Sequence, residues 1–338
     1  MLYVSYHSKP NVDAIGASSY LPNVLGAVQS PGDLNELRGL AIGPDRLLWV
    51  VSGGKKSSQV LRFQPEADAN GQHEFVDVLA AAKNGQGPHG PWLVLDGMVH
   101  PFDVAFASDG STWFISCQDT NLVLGQLPVG PPYTPNPPIS QFLASLGGSF
   151  PPGSFVGSTR VDLPEAPKDE TTKVAPPAGL GVKPSKGKPE HSVRGLADDG
   201  KILYVADEAS NKVKAYDDST GKFLWYWPPD GSTSSLASPV HLLYDSGLLY
   251  VGNSGSGTDS VLCIDLSDGS ATVVASNISK VSAVALDPDG NLYVGSRAVK
   301  SNGKWCVYQV PKGSTTPTQF GQDLDDAPEF LLYVPDPG

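Results

Sequence analysis

Apolar and polar residues alternate along most of the chain in bursts of about five or six residues, each closed by Asp, Gly, Asn or Pro. A period of two bounded by turn residues predicts short β-strands joined by tight turns. The clearest unit is VSAVALDPDGNLYVGSRAVKSNGKWCVYQV, from Val281 to Val310. It reads as a strand, a DPDG turn, a second strand (LYVGS), a polar loop and a third strand (WCVYQV). Four more copies begin at Leu37 (LRGLAIGPDRLLWVVS), Pro101 (PFDVAFASDGSTWFIS), Val193 (VRGLADDGKILYVAD) and Pro239 (PVHLLYDSGLLYVGN). A weaker fourth strand follows most of them, as in EFVDVLA, FLWYW and ATVVA.

The sixth copy is split between the chain ends. EFLLYVPDPG at the C-terminus, read on into MLYVSYHSKPNVDAI at the N-terminus, reproduces the pattern and turn position of the Val281 unit. The predicted fold is therefore all-β, a six-bladed β-propeller of four-stranded antiparallel blades. Its ring is closed by the C-terminal strand joining the N-terminal blade, which leaves no open sheet edge. The blades are expected at 1–30 plus 326–338, 36–82, 99–160, 191–228, 238–276 and 279–322. A Pro-rich insertion at 161–190 departs from the repeat and reads either as a lid over one face or as a solvated loop.

The units resemble the NHL-type repeat (P-x-GIAVD-x-DGNLYVAD). Two propeller families are similar in this respect: the peptidyl-hydroxyglycine amidating lyases, which hold zinc through His at the channel top, and the gluconolactonase and senescence-marker group, with a divalent-metal site there. The run HSVRGLA at His191 resembles the HSLAL segment that carries a zinc-ligand His in the lyases, and VHPFDVAF resembles their PTDVAV segment, although His100 is not itself a motif position. The resemblance implies a divalent metal, zinc or calcium, at the channel.

Composition narrows the partners. The formal net charge is −12, with Lys+Arg 23 against Asp+Glu 35. Binding to nucleic acid or an anionic membrane needs clustered cations and is not expected. No apolar run approaches the ~18 residues of a membrane-spanning helix. Three Cys without CxxC spacing (Cys117, Cys263, Cys306) predict buried free thiols rather than a disulfide framework. The N-terminus enters a strand at once, so the expected location is cytoplasmic, or secreted if a leader has been trimmed. A closed ring of this size is expected to be a monomer.

Aligning the repeats places residues of different blades at one height. Three positions before Ala283 the ring reads Pro328, Glu36, His100, Ser192, Ser238 and Lys280. One position before, it reads Phe330, Arg38, Phe102, Arg194, Val240 and Ser282. At Ala283 itself it reads Leu331, Gly39, Asp103, Gly195, His241 and Ala283, and the next ring is apolar throughout. His100, His191 and His241 thus start the inner strands of consecutive blades, with His7, Asp119, Asp207 and Glu208 in loops of the same face. Imidazoles converging on a channel suit a divalent cation with an open position for water, and His100, His191 and His241 are the candidate ligands. The alternative is that each is an ordinary hydrogen-bonded strand residue. Arg38 and Arg194 are candidates for binding an anion, or for pairing with neighbouring carboxylates.

Two functions follow. One is an enzyme at the channel mouth, a metal-assisted lyase or lactonase-type hydrolase on a small anionic substrate, with His191, Arg194, Arg38 and Asp103 as catalytic candidates. The other is a non-catalytic propeller that binds a ligand or a protein.

Overall fold

Each repeat closes into an antiparallel sheet, and the six sheets stand around one axis. The computed structural model describes residues 1–28, 34, 36–54, 57–82, 93–95, 98–107, 112–119, 122–126, 159–162, 193–208, 210–218, 221, 223–229, 236–255, 257 and 259–335. The insertion beyond Asp162, with the expected lid, and the candidate His191 lie outside these residues.

The inner strands run Pro328–Tyr333, Leu37–Ile42, Pro101–Phe106, Val193–Asp198, Pro239–Asp245 and Val281–Leu286 in blades one to six. Each packs on the inner strands of both neighbours, so the ring is closed. The closure uses the split blade. Pro328–Tyr333 pairs antiparallel with Leu2–Tyr6, and the Met1 ammonium donates to the Val334 carbonyl at 2.8 Å. Blade two adds a fifth strand, Leu93–Leu95, parallel to His73–Ala82, and the outer strand of blade three is Thr159–Asp162.

The DPDG turns form for a local reason. Asp287 accepts the Asn291 N–H and side-chain amide, both at 2.8 Å, and Gly290 takes the left-handed conformation (φ 84°) that closes the hairpin. Between blades the core is aromatic. Trp49 and Trp113, from the second strands of blades two and three, meet edge to face at 5.3 Å, and both are buried. The three cysteines are free and buried. Among the described residues no helix is long and apolar enough to cross a membrane.

One feature shared by all blades shapes the channel. Every inner strand carries one extra residue near its start: in blades two to four two residues face one of the second strand, and in blades one, five and six a single residue has no counterpart. Such a bulge twists the strand and re-aims its side chains. In four blades the residue before the strand is left-handed without being Gly: Glu36 (φ 52°), His100 (55°), Ser238 (53°) and Lys280 (51°). The chain therefore turns sharply into the channel at the same height around the ring.

Candidate functional site

The start of the inner strands defines one face, and three tiers of residues descend from it into the channel. The upper tier follows the second strands: His7, Gly53, Gln118, Glu208, Ser254 and Arg297. Its placement is fixed by backbone bonds, since the N–H groups of His7, Gly53, Gln118, Ser254 and Arg297 donate to Ala327, Glu36, His100, Ser238 and Lys280.

These bonds correct the alignment of the split blade by one residue. Ala327, not Pro328, matches Glu36 and His100, and the residue at the height of Arg38 and Arg194 is Glu329, not Phe330. The turn that crosses the chain ends is one residue longer than the Asp287–Asn291 turn, which displaces the repeat. The bulge tier is thus Glu329, Arg38, Phe102, Arg194, Val240 and Ser282.

Three residues of this tier are charged, Glu329, Arg38 and Arg194. Arg38 is 2% exposed and donates through Nη2 to Glu36 Oε2 (2.8 Å) and through Nη1 to Gln118 Oε1 (3.0 Å). Arg194 pairs through Nε with Glu208 Oε2 (2.8 Å) and donates through Nη1 to the same Gln118 oxygen (2.6 Å). Both guanidiniums lie on the Phe102 ring, at 5.3 and 5.1 Å from its centre. Gly53 makes room for this array, because a Cβ there would sit 2.7 Å from Arg38 Cδ and 2.9 Å from the Pro101 carbonyl. Burial holds the Arg194 guanidinium below its usual pKa range, against the pull of Glu208.

Glu329 is 1% exposed, and among the described residues neither carboxylate oxygen has a partner within hydrogen-bond geometry. Three cationic groups surround it: His7 Nδ1 at 3.5 Å and Arg297 Nη1 at 3.6 Å from Oε2, and Arg38 Nη1 at 3.9 Å from Oε1. Burial pushes this carboxyl up, but His7, Arg297 and Arg38 together bring it down to about 2. The pairing in turn raises the His7 imidazole above its ordinary value. His7 remains half exposed.

Of the three expected histidines, His191 lies outside the described residues, and His100 and His241 stand at different heights. His100 belongs to the mouth: Nδ1 meets Asp119 Oδ1 at 3.0 Å, and Nε2 lies 2.8 Å from Glu36 Oε2 and 2.7 Å from Arg38 Nη2. His241 belongs to the floor below, where Nδ1 accepts the Val284 N–H at 3.3 Å and the ring meets Phe330 edge to face at 4.3 Å. Its Nε2 is buried without a partner, and burial lowers it to about 3, so it is neutral. Asp103 also lies in the floor and accepts the N–H groups of Leu196 (2.8 Å) and Val104 (2.7 Å). Asp207 is buried against Lys214 Nζ (2.9 Å) and the Ser210 hydroxyl, and so braces its own loop.

His191, one of the three candidate metal ligands, lies outside the described residues. No three His, Cys, Asp or Glu among them converge as a ligand set, and both ring nitrogens of His100 already face charged partners.

The floor tier alternates in size. Phe330, Asp103 and His241 occupy odd blades, and Gly39, Gly195 and Ala283 occupy even ones, all six buried. A Cβ on Gly39 would come within 2.9 Å of Asp103 Cα, and one on Gly195 within 2.7 Å of His241 Cα. The channel is therefore filled at this height, and the mouth is a cup. At the other ends of the inner strands an open groove of about 830 Å³ lies between blades five and six, lined by Leu243, Tyr244, Tyr250, Leu286 and Lys312 among others. Its ionisable lining groups include Asp245, Asp287 and Lys312.

No protein-family model and no curated protein matches the chain. Solved structures do match in fold. A chain of a nidogen–laminin complex has a TM-score of 0.54 at 11% identity, over 98% of this chain and 97% of its own. A protein provisionally assigned as a 6-phosphogluconolactonase from Bacteroides fragilis gives 0.53 at 15% identity, over 99% and 97%. One with the same assignment from Bacteroides uniformis gives 0.52 at 13%, over 98% of each chain. These likenesses establish the six-bladed propeller and nothing finer.

Proposed function

We propose that the cup is the active centre of a hydrolase of lactonase type acting on small molecules, with His7 as its acid–base group. The observation that carries this reading is the His7–Glu329 pair. A half-exposed imidazole whose Nδ1 lies 3.5 Å from a buried carboxylate has its Nε2 left to serve a ligand. The carboxylate orients the ring and stabilises the imidazolium that forms during turnover.

The steps follow from that arrangement. His7 Nε2 takes a proton from water as the water oxygen bonds to the lactone carbonyl carbon. Arg194 and Arg297, the more exposed guanidiniums of the cup, offset the charge on the carbonyl oxygen. When the ring C–O bond breaks, the departing alkoxide takes the proton back from His7, giving a hydroxy acid. Asp103 and His241 take no part in this scheme; they hold the floor. Two of the similar folds carry lactonase assignments, at identities that speak for fold alone, so the reading rests on the side chains.

The test is proton release from a panel of γ- and δ-lactones and aryl esters, followed at constant pH. The wild-type chain is expected to hydrolyse members of the panel. His7→Gln is expected to lose about 100-fold or more in kcat/KM with an unchanged melting curve. A folded protein inactive on the whole panel, or an active His7→Gln variant, would count against the proposal.

A further inference from the structure

We infer that Arg297 is the specificity-determining cation of the cup, selecting ligands that carry a carboxylate or phosphate group. That the bound anion belongs to a substrate rests on the hydrolase reading; its binding to Arg297 does not.

Arg38 and Arg194 are the obvious candidates for an anion, and both are already engaged. Arg38 is enclosed by Glu36, Gln118, Glu329 and His100 at 2% exposure. Arg194 has two of its three guanidinium nitrogens committed to Glu208 and Gln118. An incoming anion would have to displace these carboxylates and amides at close to equal cost.

Arg297 differs in kind. It is 26% exposed, and among the described residues its ion pairing is a single long contact, 3.6 Å, to Glu329. That carboxylate is shared with Arg38 and His7, so it is not committed to Arg297 alone. Exposed Lys280, whose carbonyl accepts the Arg297 N–H, adds a further cation to the same sector of the rim. A planar guanidinium with unused N–H groups suits bidentate pairing with carboxylate or phosphate oxygens. Arg297 and His7 contact the same oxygen, Glu329 Oε2, so an anion held by Arg297 lies beside the His7 imidazole. Next to it, blade five offers Ser254 and Val240 to the two upper tiers and neutral His241 to the floor, which leaves a small surface without formal charge for the rest of the ligand.

The experiment is calorimetric titration of the full chain with inorganic phosphate near neutral pH. Wild type is expected to bind, Arg297→Gln to bind about tenfold more weakly or worse, and Arg297→Lys to stay within about threefold. Lys312→Gln, in the groove on the opposite face, is expected to leave the affinity unchanged. Absence of phosphate binding by wild type overturns the inference, as does an Arg297→Gln variant, folded by its melting curve, that binds like wild type. Lactone hydrolysis by wild type and His7→Gln is measured in parallel. If phosphate binding depends on Arg297 and no lactone is hydrolysed, the hydrolase reading falls and the anion site stands.

Discussion

Asp103 and His241 hold equivalent places two blades apart, and each ties its blade to the next. Asp103 Oδ2 accepts the N–H of Leu196, and His241 Nδ1 accepts that of Val284, one residue beyond the matching position of the following inner strand. A carboxyl and an imidazole thus perform one structural task at the axis, each in a site closed to solvent.

Their titrations have opposite signs. Burial raises Asp103 from 3.8 to about 8, against the pull of its two N–H bonds. Its stabilising contribution is full below the unfolded value and is lost as pH rises through about 8. Burial lowers His241 from 6.5 to about 3, so its contribution is full above 6.5 and is lost as pH falls towards 3. Asp103→Asn is expected to gain on wild type as pH rises from 6 to 9, by on the order of 1 kcal/mol per pH unit at most. Parallel unfolding curves for the two proteins across that range would refute the buried-carboxyl account.

Glu329→Gln removes the negative charge that raises His7. The acid limb of kcat/KM, set by loss of the His7 proton, is expected to move to lower pH. A limb that stays in place would detach Glu329 from the acid–base group. Glu329 itself contributes stability above its unfolded value near 4.5, lost as pH falls through about 2, so wild type should weaken in that acid window and the variant should not.

Gly195→Ala places a Cβ 2.7 Å from both His241 Cα and the Leu242 nitrogen, and neither is a flexible side chain that could step aside. The inner strands of blades four and five would have to separate. A loss of about 3 kcal/mol or failure to fold is expected from denaturant unfolding, whereas Gly303→Ala, with nothing near its Cβ but a left-handed φ of 77°, should cost about 1 kcal/mol.

Deleting residues 328–338 removes the inner strand of blade one. Leu2–Tyr6 then loses its partner, Glu329 leaves the cup, and Phe330 leaves the floor. Non-cooperative melting and association through the bared edge are expected in calorimetry and light scattering. A sharp monomeric transition like that of wild type would contradict closure by this strand.

The architecture was legible because six copies of one strand–turn–strand pattern leave few other ways to bury their apolar faces. Most of the cup was legible too, since repeat register fixes height: Arg38, Phe102 and Arg194 stand level as aligned. Glu329 escaped notice for a physical reason. Its blade is assembled from both chain ends, and the junction carries one extra residue that no repeat could calibrate. Register also says nothing about what a side chain meets across the axis. His100 and His241 both stood near the start of an inner strand in the alignment, yet one lies among carboxylates and the other against Phe330.

The alternation of bulky and minimal residues in the floor has a consequence for how such a ring can be copied. Six identical blades would put six Gly or six Phe330-like residues at one height, leaving either a hole or a collision. At the axis the repeating unit is a pair of blades, one supplying the filler and the next the vacancy it enters. The molecule is three-fold there while its outer strands count to six. A symmetric version built by duplication should close cleanly from three copies of a two-blade segment such as 101–229, and poorly from six copies of any single blade.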